Sequence, residues 1–317
     1  MKVALIVLAA LAATVVPMIF FTAYICYIRI FRAVRHKPNG PDGIDLPRGK
    51  NYEPYYSQMI EWIRKARAMP HTDMELKSFD GLTLRGKYYE YRSGAPIEIM
   101  FHGYHGNAER DMCAGIERAF SMGRNALLVD QRGCGDSEGQ TVSFGVNERR
   151  DCLAWVKLVT DRFGEDTEII LTGVSMGAAT VMMAAGEELP PNVVCVLADC
   201  GYTSARDIIK KIMGEMHLWA GAVYPFARLG ARVFGHFSLE ETSPIEAMKK
   251  CRTPVIFIHG GADDFVPTEM SKRLFAACAS EHKKLVVVPK AVHVLSYLTD
   301  KEGYIKALKD FEKEYKA

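Results

Sequence analysis

The sequence predicts an α/β fold, with a mostly parallel eight-stranded sheet, helices on both faces and a helical cap insertion. Two observations point to it. Short apolar runs near 74–79, 82–91, 97–101, 125–130, 168–173, 193–199, 254–259 and 284–289 alternate with helix-like stretches near 107–122, 145–163, 176–188, 268–280 and 301–315. Near-continuous apolar strands separated by amphipathic helices are buried on both faces, as parallel sheets are. The second observation is Gly173-Val174-Ser175-Met176-Gly177, which lies between strand-like Glu168–Thr172 and helix-like Ala178–Glu188. A serine on such a sharp strand-to-helix turn has its hydroxyl lifted over the end of the sheet.

In chain order, the first element is an apolar segment. Val3 to Ile28 is uncharged over 26 residues, roughly 39 Å as a helix at about 1.5 Å per residue. About 20 residues suffice to cross a bilayer. A signal peptide would stop sooner; Ala10-Leu11-Ala12 resembles a cleavage site, but Val15–Ile28 continues apolar beyond it. We therefore expect a single-pass membrane anchor over residues 1–36, with Pro17 as a point of kinking. Arg29, Arg32, Arg35 and Lys37 follow the span and only Lys2 precedes it, which places the remaining chain on the cytoplasmic face. Residues 37–52, opening with Lys37-Pro-Asn-Gly-Pro-Asp-Gly43, read as a linker. Residues 53–317 read as the globular domain. It starts with a helix from Glu53 to Met69, stopped by Pro70.

The stretch of about 201–250 is too long for a plain crossover. It is Met-rich and aromatic-rich, the family resemblance given below implies a helical cap at this point, and Ser243-Pro244 with Glu246 reads as the start of the helix that closes the insertion. A cap of that composition near a bilayer suits an apolar acyl group in the substrate.

Chemistry enters through residue order. After the run 254–258 comes His259-Gly260-Gly261-Ala262-Asp263-Asp264-Phe265-Val266-Pro267, and after 284–289 comes Ala291-Val292-His293. Both fall at the strand ends where Ser175 lies, the edge at which open parallel sheets bind ligands. Ser175 is the candidate nucleophile and His293 the candidate base. Asp263, Asp264 and Asp199 compete as the acid that orients the imidazole. The spacing His-Gly-x-x-Asp-x-x-Val-Pro selects Asp263. The Met176 N–H, at a helix N-terminus, suits a developing negative charge. His259 reads as a local hydrogen-bonding residue beneath the acid loop.

Further segments carry a resemblance. Phe101-His102-Gly103-Tyr104 follows a strand-like run, Asp130-Gln-Arg-Gly133-Cys-Gly135-Asp-Ser137-Glu-Gly139 follows another, and Phe79-Asp-Gly-Leu82 forms a turn between the first two. With the serine motif and the Ser–Asp–His order, these resemble the α/β-hydrolase superfamily over about residues 70–315. Within it they are similar to the bacterial S33-type aminopeptidase-like or YqkD-like serine hydrolases. The resemblance implies the α/β-hydrolase fold and an oxyanion hole formed by the Tyr104 and Met176 N–H groups. It implies no metal and no organic cofactor. The expected activity is cleavage of a small-molecule carboxylic ester through an acyl-enzyme. Peptide or amide hydrolysis and acyl transfer use the same residues, and a non-catalytic binding module is the alternative of another class.

Composition restricts the remaining readings. The net charge of +2 and the absence of a basic stripe give no footprint for nucleic acid. The eight cysteines form no C-x-x-C pair or zinc spacing and read as buried thiols. His102 and His105 stand in a glycine-flanked loop, not on a helix with a glutamate between them, so they read as no metal site. The Gly133–Gly139 loop lacks a phosphate-binding pattern and reads as backbone geometry under the site. Every candidate site residue lies beyond residue 50, so the sequence makes the chemistry look separable from the anchor.

Overall fold

The structure is a computed structural model that describes the backbone of residues 1–317 and every side chain except those of residues 3 and 7–12. The apolar segment forms one helix, α1 (Lys2–Ile30), continuous through Pro17. Its window Ala13–Ile30, with mean hydropathy 1.7, is long and apolar enough to cross a membrane. Exposure changes along α1. Val15, Met18, Phe20 and Phe21 are exposed, whereas Ala23, Cys26 and Phe31 are buried against the rest of the protein.

Residues 37–52 are not free of the domain. Ile44 and Leu46 are buried in one of its cores, and Asp45 pairs with Arg110 at 3.2 Å. Helix α2 (Tyr56–Ala68) follows, then β1 (Thr72–Lys77), β2 (Thr83–Tyr89), β3 (Ile97–Phe101), α3 (Ala108–Ser121), β4 (Asn125–Val129), α4 (Glu148–Phe163), β5 (Ile169–Val174), α5 (Met176–Ala184) and β6 (Val193–Asp199). Three helices occupy the region expected to form the cap: α6 (Ala205–Glu215), α7 (Ala220–Val233) and α8 (Pro244–Met248). Ser243 caps α8 by accepting from the Glu246 N–H. The chain ends with β7 (Val255–Gly260), α9 (Thr268–Ala277), β8 (Lys283–Val288), α10 (Ser296–Thr299) and α11 (Lys301–Lys316).

The eight strands form one sheet in the order β1-β2-β4-β3-β5-β6-β7-β8. β1–β2 and β2–β4 are antiparallel, and all other pairs are parallel. Alternate side chains go to opposite faces. Ile97, Ile99, Phe101, Ile169 and Leu171 pack with Trp155 and Val159 of α4, while Ile170, Leu197, Ile256 and Ile258 pack with Trp62 of α2 and Tyr304 and Phe311 of α11. One charged residue in this sheet, Glu98, is fully buried in β3. It pairs with Arg118 and Arg124 and accepts the Thr172 hydroxyl at 2.7 Å, as a buried charge requires. The order reverses at β3, with β4 on one side and β5 on the other. The loops after β3 and β5 therefore border the crevice where such sheets bind ligands.

Candidate active site

Ser175 occupies the turn from β5 into α5 with φ 54° and ψ −114°. A non-glycine residue rarely adopts that conformation, and it is held only where neighbours over-determine it. They do so here. A Cβ on Gly173 would overlap the Gly177 carbonyl, and one on Gly177 would overlap the Phe101 carbonyl. The Ser175 N–H donates to the Asp199 carbonyl at 2.9 Å, fixing the elbow to β6.

The histidine and acid converge on the serine. His293 Nε2 lies 2.9 Å from Ser175 Oγ, and His293 Nδ1 lies 2.7 Å from Asp263 Oδ2. All three residues are buried. Asp263 Oδ1 accepts the Phe265 and Val266 N–H groups at 3.0 and 2.8 Å. Burial alone would raise the Asp263 pKa, but hydrogen bonds from His259 and His293 together with the His293 charge hold it down, at about 2. His259 sits beneath this loop, with Nδ1 2.6 Å from Ser271 Oγ and Nε2 2.8 Å from the Val266 carbonyl.

Neither rival acid meets His293. Asp264 is exposed. Asp199 is buried and accepts from Ser296 and Tyr304 at 3.3 and 3.1 Å. Burial pushes its pKa up to about 6, against the opposing His259 charge and the Tyr304 hydrogen bond.

On the oxyanion side, Gly103 approaches Ser175 so closely that a Cβ there would stand 3.6 Å from the serine Cβ. Its N–H donates to Asp111 Oδ2 at 3.0 Å. The Tyr104 and Met176 N–H groups have no acceptor among the described residues. The Asp130–Gly139 loop is backbone scaffolding. Asp130 accepts the Ala108 and Asp136 N–H groups at 2.8 and 2.9 Å, and Gln131 donates to the His102 carbonyl at 2.6 Å. Arg132 ties that loop to the first turn through Asp80 at 2.9 Å and to α4 through Asp151 at 2.6 Å. His102 Nε2 accepts the Gln131 N–H at 2.9 Å, so that ring is committed to the loop.

Three residues at the site escaped the sequence reading. Cys200 Sγ lies within 4.8 Å of ligand atoms of Asp263 and His293, and the Cys200 backbone has φ 46°. Only its place directly after β6 could have flagged it. Asp111, which accepts the Gly103 amide, stands in the first turn of α3, where an acid is common and signals no site. Tyr52, from the segment read as a linker, reaches the His293 carbonyl with its hydroxyl at 3.4 Å. Burial, then the nearby Cys200, Asp111 and Asp263, pushes its pKa up to about 12.

Comparison with known proteins agrees with this fold. Among solved structures, the Pyrococcus furiosus esterase PF2001 superposes with a TM-score of 0.66 at 22% identity, covering 89% of this chain and 99% of that one. Mouse alpha/beta hydrolase domain-containing protein 10 superposes with a TM-score of 0.56 at 20% identity, covering 77% and 99%. In sequence, YqkD of Bacillus subtilis, an uncharacterized protein, is 26% identical over 244 residues, 77% of this chain and 79% of YqkD. Rv2307c of Mycobacterium tuberculosis, also uncharacterized, is 30% identical over 243 residues, 75% and 78% of the two chains. Residues 138–316, more than half the chain and containing Ser175, Asp263 and His293, match the prolyl oligopeptidase family. The chain thus has the α/β-hydrolase fold and belongs to the prolyl oligopeptidase family.

Proposed function

We propose that this protein is a membrane-anchored serine hydrolase that cleaves a carboxylic ester through an acyl-enzyme. The observation that carries the reading is the unbroken Ser175–His293–Asp263 relay, with contacts of 2.9 and 2.7 Å, set on a strained elbow. Ser175 Oγ attacks the ester carbonyl while His293 Nε2 takes its proton. The carbonyl oxygen becomes an oxyanion facing the Tyr104 and Met176 N–H groups. Collapse expels the alcohol, which leaves with the proton from His293. Water then repeats the sequence on the acyl-enzyme, releasing the acid and restoring Ser175. Asp263 stays ionised throughout, holding the imidazole tautomer.

An amide bond differs only in the leaving amine, which takes its proton from His293, and the family match to prolyl oligopeptidases keeps peptide substrates in view. α1 is read as the anchor, with the hydrolase domain on the cytoplasmic face and the helices of residues 201–250 as a cap. One relative, YNL320W of Saccharomyces cerevisiae, is described as a membrane protein. The test combines fluorophosphonate labelling of the full-length protein with a series of p-nitrophenyl esters of increasing acyl length and a matching anilide. Labelling at Ser175 and faster turnover of ester than anilide are expected. An unlabelled, folded protein would leave only a binding module.

A further inference from the structure

The Tyr104 loop is held on its outer side by the end of α1. The Tyr104 hydroxyl donates to the Ile30 carbonyl at 2.6 Å, its one hydrogen bond among the described residues. Ile30 is the last residue of α1, and the last four carbonyls of a helix have no partner within it. The next carbonyl, that of Phe31, accepts the Val142 N–H at 2.7 Å, and the Ala33 N–H donates to Gln140 at 2.8 Å. Tyr27 Oη meets Thr141 Oγ1 at 2.9 Å. The exit of α1 is thus bonded into the domain at several points, Arg35 also donating to the Ser137 carbonyl at 3.1 Å, and one bond goes directly to a proposed oxyanion residue.

Ring contacts follow the same route. Phe31 meets Phe144 edge-on at 5.9 Å, and Phe144 lies 5.0 Å from the Tyr104 ring. Tyr104 stacks on His105 at 3.8 Å, and His105 faces His36 at 6.5 Å. His105 is pushed down to about 4, by burial first and by His36 second, so it packs as a neutral ring. Phe31 and Met176 belong to one apolar cluster, against which Tyr104 packs. The cap closes on the same helix. A Cβ on Gly230 of α7 would overlap the Ala23 carbonyl, and Phe234 meets Tyr24 at 5.1 Å.

We propose that the segment Tyr27 to His36, the membrane-proximal end of α1 and the residues just after it, is a positioning element of the active site. It clamps Tyr104 through the Ile30 carbonyl and the Phe31–Phe144 rings, so that the Tyr104 N–H is aimed at the oxyanion. The proposal rests on the serine-hydrolase reading above. Catalysis is then not separable from the anchor: the helix that holds the protein in the bilayer also sets the oxyanion hole. A donor displaced by about 1 Å costs on the order of 100-fold in rate, and loss of one donor about 100- to 1000-fold. Loosening the clamp costs less than either.

The experiment uses the full-length protein in detergent micelles, with a p-nitrophenyl ester as substrate. A trifluoromethyl ketone, whose serine adduct carries an oxyanion, serves as transition-state analogue. Tyr104→Phe keeps the ring and removes only the hydroxyl; Phe31→Leu keeps apolar volume and removes the ring contact. Each is expected to lower kcat about 10-fold with KM within twofold, and to raise the ketone Ki by a similar factor, as loss of transition-state stabilisation requires. Melting temperature is expected to stay within a few degrees of wild type. The double variant is expected to lose less than the product of the single losses, because both act on one loop. Met18→Ala, on the exposed part of α1, leaves kcat unchanged. Wild-type kcat and Ki in both single variants overturn the clamp, and so does a rise in KM alone. If Ser175→Ala is inactive while both variants behave as wild type, only the clamp fails. If Ser175→Ala still turns over ester, the serine-hydrolase reading fails and takes the clamp with it.

Discussion

Asp263 and Tyr104, the proposed orienting acid and oxyanion residue for Ser175, are held by different parts of the chain. Asp263 is fixed by neighbours in its own loop: Phe265 and Val266 amides two and three residues on, and His259 four residues before it. His293, 30 residues on, completes that half from the adjacent strand's loop. Tyr104 is tied at its hydroxyl to Ile30, 74 residues earlier, in a helix that no strand connects to the sheet. The proposed acid–base half is therefore built within two neighbouring strand-end loops. The proposed oxyanion half instead draws on α1, far away in sequence, through the bond of Tyr104 to Ile30.

The largest expected effects fall on the local half. Ser175→Ala is expected to abolish fluorophosphonate labelling and to lower turnover by about 10⁴-fold or more, and Asp263→Asn to lower kcat by a comparable factor, since such residues act as a unit. A folded Asp263→Asn protein within tenfold of wild type would show that another group orients His293. The next effect tests separability. A soluble chain starting at Lys50 lacks Ile30, Phe31, Ile44 and Leu46, and it is expected to lose about 100-fold in kcat relative to the full-length protein, the order of a displaced oxyanion donor. Full kcat from that chain would break the distinction between the two halves.

Smaller effects appear in stability. Asp263 is depressed from 3.8 to about 2, so its ionised form stabilises the fold at pH values above about 4. That contribution, about 2 kcal/mol, is lost as the pH falls from about 4 towards 2. Urea unfolding from pH 5 to pH 2 checks it: the wild type is expected to approach Asp263→Asn in stability as the pH drops. A constant gap would remove the ion pair from the account. Asp199 behaves with the opposite sign. Its pKa is raised to about 6, so the unfolded chain releases the proton first and stability falls as pH rises from about 4 to 6. Asp199→Asn is expected to flatten that fall while leaving kcat within about threefold, because Asp199 bonds Ser296 and Tyr304 and not His293. A loss of activity matching that of Asp263→Asn would reopen the choice of acid.

The sequence by itself determined the alternation of strands and helices, the elbow at Ser175, and the placement of Asp263 and His293 beyond strand ends. Each of these is written in contiguous residues: glycines where backbones touch, apolar runs of strand length, and an acid at fixed spacing within its own loop. Tertiary structure alone decided what faces what. Asp199 and Asp263 both follow apolar strands, and only the packing of α10 and α11, which bring Ser296 and Tyr304 to Asp199, separates a structural acid from the one that meets His293. Cys200, Asp111 and Tyr52 join the site through folds of the chain that no local pattern encodes. Residues 37–52 read as a linker because they are polar and rich in turn formers, yet Ile44 and Leu46 anchor them in a core. The hydroxyl of Tyr104 meets the Ile30 carbonyl, one of those that a helix ending leaves without partners. Pairing across 74 residues depends on the shape of the whole domain, and the sequence carries no spacing that would announce it.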